Sequence, residues 1–171
     1  MIVLALFAAA LAASNPSPVL EASVPWWEKI TVTVDDKGKQ QSCQYEASLS
    51  PAGAGACSKA MAASVEPGSR GPSGQYSKVT FERRFSPGGQ LDSGRLQPGD
   101  ELLGRQVMFL TIDAKGSIES CDVVATAGDL TFQYDCDEAR REQFRVPASA
   151  EPGARQAFMT VLAYGHSEEL A

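Results

Sequence analysis

Histidine is almost absent from this chain: His166, close to the C-terminal end, is the only one. A Cys/His zinc site therefore lacks its parts. No two of the four cysteines stand in C-x-x-C spacing, which removes thioredoxin-like redox chemistry. There is no G-x-S-x-G, H-E-x-x-H, P-loop or G-x-G-x-x-G element either. The chain reads as a non-enzyme without a cofactor. Positive charge is scarce as well, with 15 Lys and Arg against 21 Asp and Glu and a net charge of −6. Residues 1–100 hold nine acids and nine bases, whereas 101–171 hold twelve and six, so the second half carries the whole excess. A surface that tracks phosphates needs the opposite, and nucleic acid is not an expected partner.

Long apolar runs are also missing. The longest, Ile2 to Ala13, is too short for the roughly 20 residues of a bilayer span, yet it suits the apolar region of a signal peptide. Small residues at Ala8, Ala10 and Ala12 offer a cleavage pattern, and polar Ser14 to Pro18 follow. Residues 1–13 are read as an export signal, with an exported protein and no membrane span as the outcome. No Lys or Arg precedes the run, so a disordered or partly buried N-terminus is the alternative.

What the chain does have is an internal repeat. A shift of 78 residues lays Ile30–Cys43 over Met108–Cys121, matching Thr33, Asp35, Lys37, Gly38, Ser42 and Cys43 to Thr111, Asp113, Lys115, Gly116, Ser120 and Cys121. Cys57 and Cys136 follow at a shift of 79, and each half then has a Glu-Pro-Gly, at Glu66 and at Glu151. Two units are expected, 25–87 and 102–166, joined by a Gly/Pro-rich linker at 88–101. Four cysteines allow three connectivities. The local pairs, Cys43 with Cys57 and Cys121 with Cys136, cost least in chain entropy, and each is worth about 3 kcal/mol on that model.

Pattern supplies the elements. Ile30, Val32 and Val34 alternate with threonines, Asp35 to Gly38 provide turn chemistry, and Lys39 to Tyr45 return, which together predict a β-hairpin. Cys57, Ala60, Met61 and Val65 recur at helical spacing, and Tyr76 to Phe85 alternate as a strand. The second half repeats this with strands Val107–Ile112 and Ser117–Ala125, a helix from Asp135 to Gln143 and a closing strand Arg155–Tyr164. Val107–Ile112 is apolar on both faces and belongs in the middle of a sheet. The expected fold is α+β: two tandem β-β-α-β units, each a small three-stranded antiparallel sheet with one helix. Trp26 and Trp27 are either a ligand platform or core filler. Asp35, Asp36, Asp135, Asp137 and Glu138 are either metal ligands or, more simply, caps for turn and helix donors.

The second half resembles the TonB C-terminal domain family in its disulfide-bearing, periplasmic form. The residues that carry the likeness are Gly104, Ile112-Asp113-Ala114-Lys115-Gly116, Cys121 with Val123, Ala127-Gly128, Asp135-Cys136 and Phe144-Arg145-Val146-Pro147-Ala148. The family pattern is departed from where Cys136 directly follows Asp135 and where Thr126-Ala127-Gly128 forms the turn. The resemblance implies a protein-interaction module that binds a periplasmic protein or peptide, such as a segment of an outer-membrane receptor, by strand addition. It also implies a first strand in the middle of the sheet, with the second and third strands at the edges and the third accepting the partner. Arg155, Phe158, Thr160, Val161, Leu162 and Tyr164 would then form the binding edge, with only Arg155 guarding it by charge. Without a long anchor or a Pro-rich spacer, a soluble binding relative is expected rather than an energy transducer. Self-association, or a structural or inhibitory domain with the two copies packed on each other, is the alternative.

Overall fold

Strands dominate because β-branched and aromatic residues recur with period two through both halves. The computed structural model describes residues 19–35, 37, 40–49, 57, 70–71, 74–92, 94, 96–148, 150 and 152–167. The expected export signal lies outside these residues. So do Ala60, Met61 and Val65 of the first expected helix, of which Cys57 is described and helical. In chain order the strands are β1 (Leu20–Glu21), β2 (Trp26–Val34), β3 (Gln40–Ala47), β4 (Arg70–Gly71), β5 (Gly74–Gln75), β6 (Lys78–Pro87), β7 (Asp100–Ile112), β8 (Ile118–Gly128), β9 (Phe144–Arg145) and β10 (Arg155–His166). A single helical turn, α1 (Cys136–Ala139), precedes β9.

The two expected β-β-α-β units with separate sheets are not formed. Among the described residues strand far outweighs helix, and six strands make one antiparallel sheet in the order β3-β2-β6-β10-β7-β8. The reason is that the closing strands of the two halves pair with each other, from Ala157 opposite Pro87 to His166 opposite Lys78. On its other side β10 pairs with β7, from Arg155 opposite Ile112 to His166 opposite Asp100. The strand expected at an edge is therefore interior: Phe158, Thr160, Val161, Leu162 and Tyr164 have a strand on both sides, and Arg155, ahead of the β6 ladder, pairs with β7 alone. The helix expected over Asp135–Gln143 stops at Ala139. Beyond it the backbone is taken by extended pairing, with Phe144 N donating to Gly116 O at 2.8 Å and Leu20 N to Gln143 O at 2.9 Å.

Each hairpin turn is built in the same way. Asp35 Oδ1 accepts from Lys37 N at 2.9 Å, and Asp113 Oδ1 accepts from Lys115 N at 2.9 Å. The second turn also needs Gly116. Its φ is +85°, and a Cβ there would stand 1.9 Å from Phe144 O.

One face of the sheet carries the core. Trp26, Phe85, Met108, Leu110, Ile112, Ala157 and Met159 lie there under Ala22, Ala139 and Phe144. Trp26 stacks on Phe85 at 5.5 Å, and Phe85 meets Phe144 at 5.3 Å. Trp26 is thus core rather than a ligand platform. Burying side chains of this size contributes roughly 1.5–3 kcal/mol each.

The opposite face is crossed by the connection between β6 and β7. Both strands run antiparallel to β10, so they are parallel to each other with β10 between them, and the chain must return along the whole sheet. Asp92 N donates to Ser86 Oγ at 3.2 Å, Arg84 Nη1 pairs with Asp92 Oδ2 at 2.9 Å, and Gly99 lies against the His166 ring. Beneath this strap Glu82 is buried, held by Arg84 Nε and by Tyr164 Oη, which donates to Glu82 Oε2 at 3.3 Å.

Candidate functional site

The four cysteines come together as the two local pairs, Cys43–Cys57 with Cα atoms 5.9 Å apart and Cys121–Cys136 with Cα atoms 5.6 Å apart. No free cysteine occurs among the described residues. Cys121 sits on β8 opposite Leu110, so its bridge ties an outer strand to the start of α1.

Most of the remaining chemistry-bearing groups are fully used. Arg83 lies between the rings of Trp26 and Tyr134, 5.2 and 4.9 Å from their centroids. Its Nη2 meets Glu28 Oε1 at 2.6 Å and its Nη1 meets Glu142 Oε1 at 2.7 Å, while Tyr45 Oη donates to Glu28 Oε2 at 2.8 Å. Burial opposes the Arg83 charge, but Glu28 and Glu142 more than offset it, and the guanidinium is held above its ordinary value. Burial likewise pushes the Tyr134 hydroxyl up. The network joins β2, β3 and β6 of the first half to Glu142 and Tyr134 of the second.

Of the acids noted in the sequence, Asp36 lies outside the described residues, Asp35 and Asp135 accept from backbone amides, and Asp137 and Glu138 form ion pairs. Asp135 Oδ1 accepts from Asp137 N at 2.9 Å and Glu138 N at 3.0 Å, Asp137 pairs with Arg140, and Glu138 with Arg141. His166 Nδ1 lies 3.0 Å from Asp100 Oδ1. No group of three or more His, Cys, Asp or Glu among the described residues is arranged to hold a metal ion. No described helix is long and apolar enough to cross a membrane.

The residues expected to form the binding edge are dispersed into the sheet interior. Thr160 is 0% exposed and Leu162 3%, Phe158 packs on Phe109 at 5.2 Å, and Tyr164 is engaged by Glu82. The two outer strands are β3 and β8. The second strand of the repeat was expected at an edge, so sequence reasoning pointed to β8's place but not to its importance.

β8 is 11 residues long and hydrogen-bonds to β7 alone among the described strands. Its pairing is interrupted by a bulge between Val107 and Met108 of β7, which leaves Val124 as the extra residue between Val123 and Ala125. Arg140 Nη2 reaches back to Cys121 O at 3.4 Å and covers the edge there. Beyond that point Asp122, Val123, Val124, Ala125 and Thr126 are all exposed, Val123 at 48% and Val124 at 54%. No charged residue occurs from Val123 to Gly128. Such a stretch presents unpaired backbone donors and acceptors beside apolar side chains, the usual substrate for strand pairing. Neither a protein-family model, nor a curated protein, nor a solved structure matches this chain.

Proposed function

We propose that the chain is an exported, non-enzymatic protein-interaction module of the TonB C-terminal-like kind, acting in the periplasm without a cofactor. It binds an extended segment of a partner protein by strand addition, and the accepting strand is β8. The observation that carries this reading is the uncovered stretch of β8 from Asp122 to Gly128, with exposed Val123 and Val124. Main-chain bonds to the added strand supply affinity. Alternate side chains of the guest meet the Val123 side and the Asp122 side of the sheet and supply specificity. A segment of an outer-membrane receptor would link the protein to TonB-dependent transport.

The test is binding of an array of extended peptides to the wild type and to Val124→Lys, with hydrogen exchange on the bound form. Capture by the wild type, slowed exchange of the β8 amides and loss of both in the variant are expected. Unchanged capture by a folded Val124→Lys protein would remove β8 as the site.

The direct pairing of β6 with β10 favours a second reading, a structural or inhibitory secreted domain in which the two copies pack on each other. Under that reading no peptide on the array protects β8.

A further inference from the structure

Along the chain the charge from β8 to α1 is one-sided, although in space Arg140 reaches back to Cys121 O beside Asp122. From Ile118 to Cys136 and on to Glu138 the chain carries Glu119, Asp122, Asp129, Asp135, Asp137 and Glu138 and no Lys or Arg. Three of these acids have duties elsewhere: Asp135 caps α1, Asp137 pairs with Arg140 and Glu138 with Arg141. The other three, Glu119, Asp122 and Asp129, form no ion pair among the described residues, and all are exposed. Asp122 and Asp129 bracket the neutral stretch Val123–Gly128, one at each end. β7, the described strand beside it, supplies a single base, Arg105, opposite Ala127, two residues before Asp129 and five after Asp122. Asp122 lies on β8, and Asp129 directly follows Gly128, which ends the strand with a φ of +77°.

We propose that the segment accepted by β8 is cationic: a neutral, β-branched centre of about six residues, matched to Val123–Gly128, with Lys or Arg at both ends. This rests on the reading of β8 as the accepting edge and adds the chemistry of its guest. In an antiparallel addition each terminal cation of the guest falls opposite Asp122 or Asp129, and in a parallel one the same pairing holds with the ends exchanged. A second copy of this chain fits poorly. When two β8 strands align their neutral stretches antiparallel, Val123 faces Gly128 and Asp122 faces Asp129, so like charges meet at both ends. The acidic edge thus guards against self-pairing while it selects a guest of opposite charge.

The experiment uses the oxidised full chain and two fluorescein-labelled synthetic peptides that share one Thr/Val-alternating centre, one flanked by lysines and the other by glutamates. Fluorescence anisotropy is read at low salt and at ~0.3 M salt, where exposed pairs are largely screened. The lysine peptide is expected to bind at least about five-fold more tightly at low salt, the sum of two exposed ion pairs. That preference is expected to shrink at high salt and in the Asp122→Asn/Asp129→Asn double variant, and Val124→Lys is expected to abolish binding of both peptides. Circular dichroism verifies that each variant is folded. Equal binding of the two peptides, lost in Val124→Lys, would overturn the cationic guest and leave the edge intact. Binding of neither peptide, or binding indifferent to Val124→Lys, would overturn the edge itself. Sedimentation showing a wild-type dimer that Val124→Lys dissolves would overturn the proposal in favour of a second copy.

Discussion

Arg83 is where the side chains of the two halves converge. Its guanidinium is shared between Glu28 on β2 and Glu142 beyond α1, and its two faces are covered by Trp26 and Tyr134. Removing it leaves two carboxylates facing each other in a largely dry site. Arg83→Ala is therefore expected to cost about 3 kcal/mol in a denaturant titration, far more than a surface arginine. The tyrosines give the protein an alkaline limit. Burial, with the negative charge of Glu82, pushes Tyr164 up to about 12, and burial with Glu101 pushes Tyr76 up to about 12. Tyr134 is raised as well, mainly by burial. A tyrosine whose folded pKa exceeds its unfolded value near 10.0 holds its proton more tightly when folded. Its contribution is fully present below pH 10 and is lost as the pH rises toward about 12. Stability is expected to be flat up to about pH 10 and then to fall, with phenolate absorbance rising together with unfolding. Normal titration of all the tyrosines in a still-folded protein would contradict the burial described here.

Two substitutions separate an interior strand from an outer one. β10 bonds on both sides, so a proline at Val161 must break a ladder bond to β6 or to β7. Val161→Pro is expected to destabilise by about 3 kcal/mol or more, whereas Val124→Lys on β8 is expected to stay within about 0.5 kcal/mol of the wild type. Thermal melts of the two variants side by side decide it. The hairpins were legible in the sequence because their turns are local: Asp35 and Asp113 each bind the amide two residues on. The place of β10 was misread. Phe158 to Ala163 is apolar on both faces, the same signature that puts Val107–Ile112 in the middle of the sheet, and the family resemblance points the other way. The short α1 was not legible. Periodicity through Gln143 competes with the backbone bonds of Gln143 and Phe144 to Leu20 and Gly116, and those partners lie far away in sequence. Alternation tells which face a strand buries but not which strand lies beside it. The binding edge was sought on β10 because the family resemblance puts the third strand there, while the outer strands of the sheet are β3 and β8.

At the scale of the whole molecule, the cut that separates the repeat's two copies in the sheet, between β6 and β10, breaks a continuous ladder and still leaves the halves joined elsewhere. β6 and β10 share a ladder from end to end, and the strap after β6 crosses the sheet before β7 begins. The first strand of the chain, β1, pairs in parallel with β9 of the second half, Leu20 opposite Phe144. Trp26 and Phe85 of the first half share one core with Phe144, Met108 and Met159 of the second. Unfolding either copy would expose a full edge of the other and open that core, so partial unfolding gains little entropy for a large loss of burial. A single cooperative transition is therefore expected in spite of the repeat. The tryptophans allow a check, since Trp26 and Trp27 both lie on β2, Trp26 in the core shared with the second half and Trp27 outside that core, while far-ultraviolet circular dichroism follows the strands of both halves. The two signals should give the same midpoint and slope in urea. After reduction of both disulfides they should shift together to lower denaturant, because each bridge closes a loop within its own half and neither holds the halves together. Tryptophan fluorescence that changes before or after the dichroism would mean that the halves fold as separate units and that the β6–β10 ladder is an interface rather than the middle of one sheet.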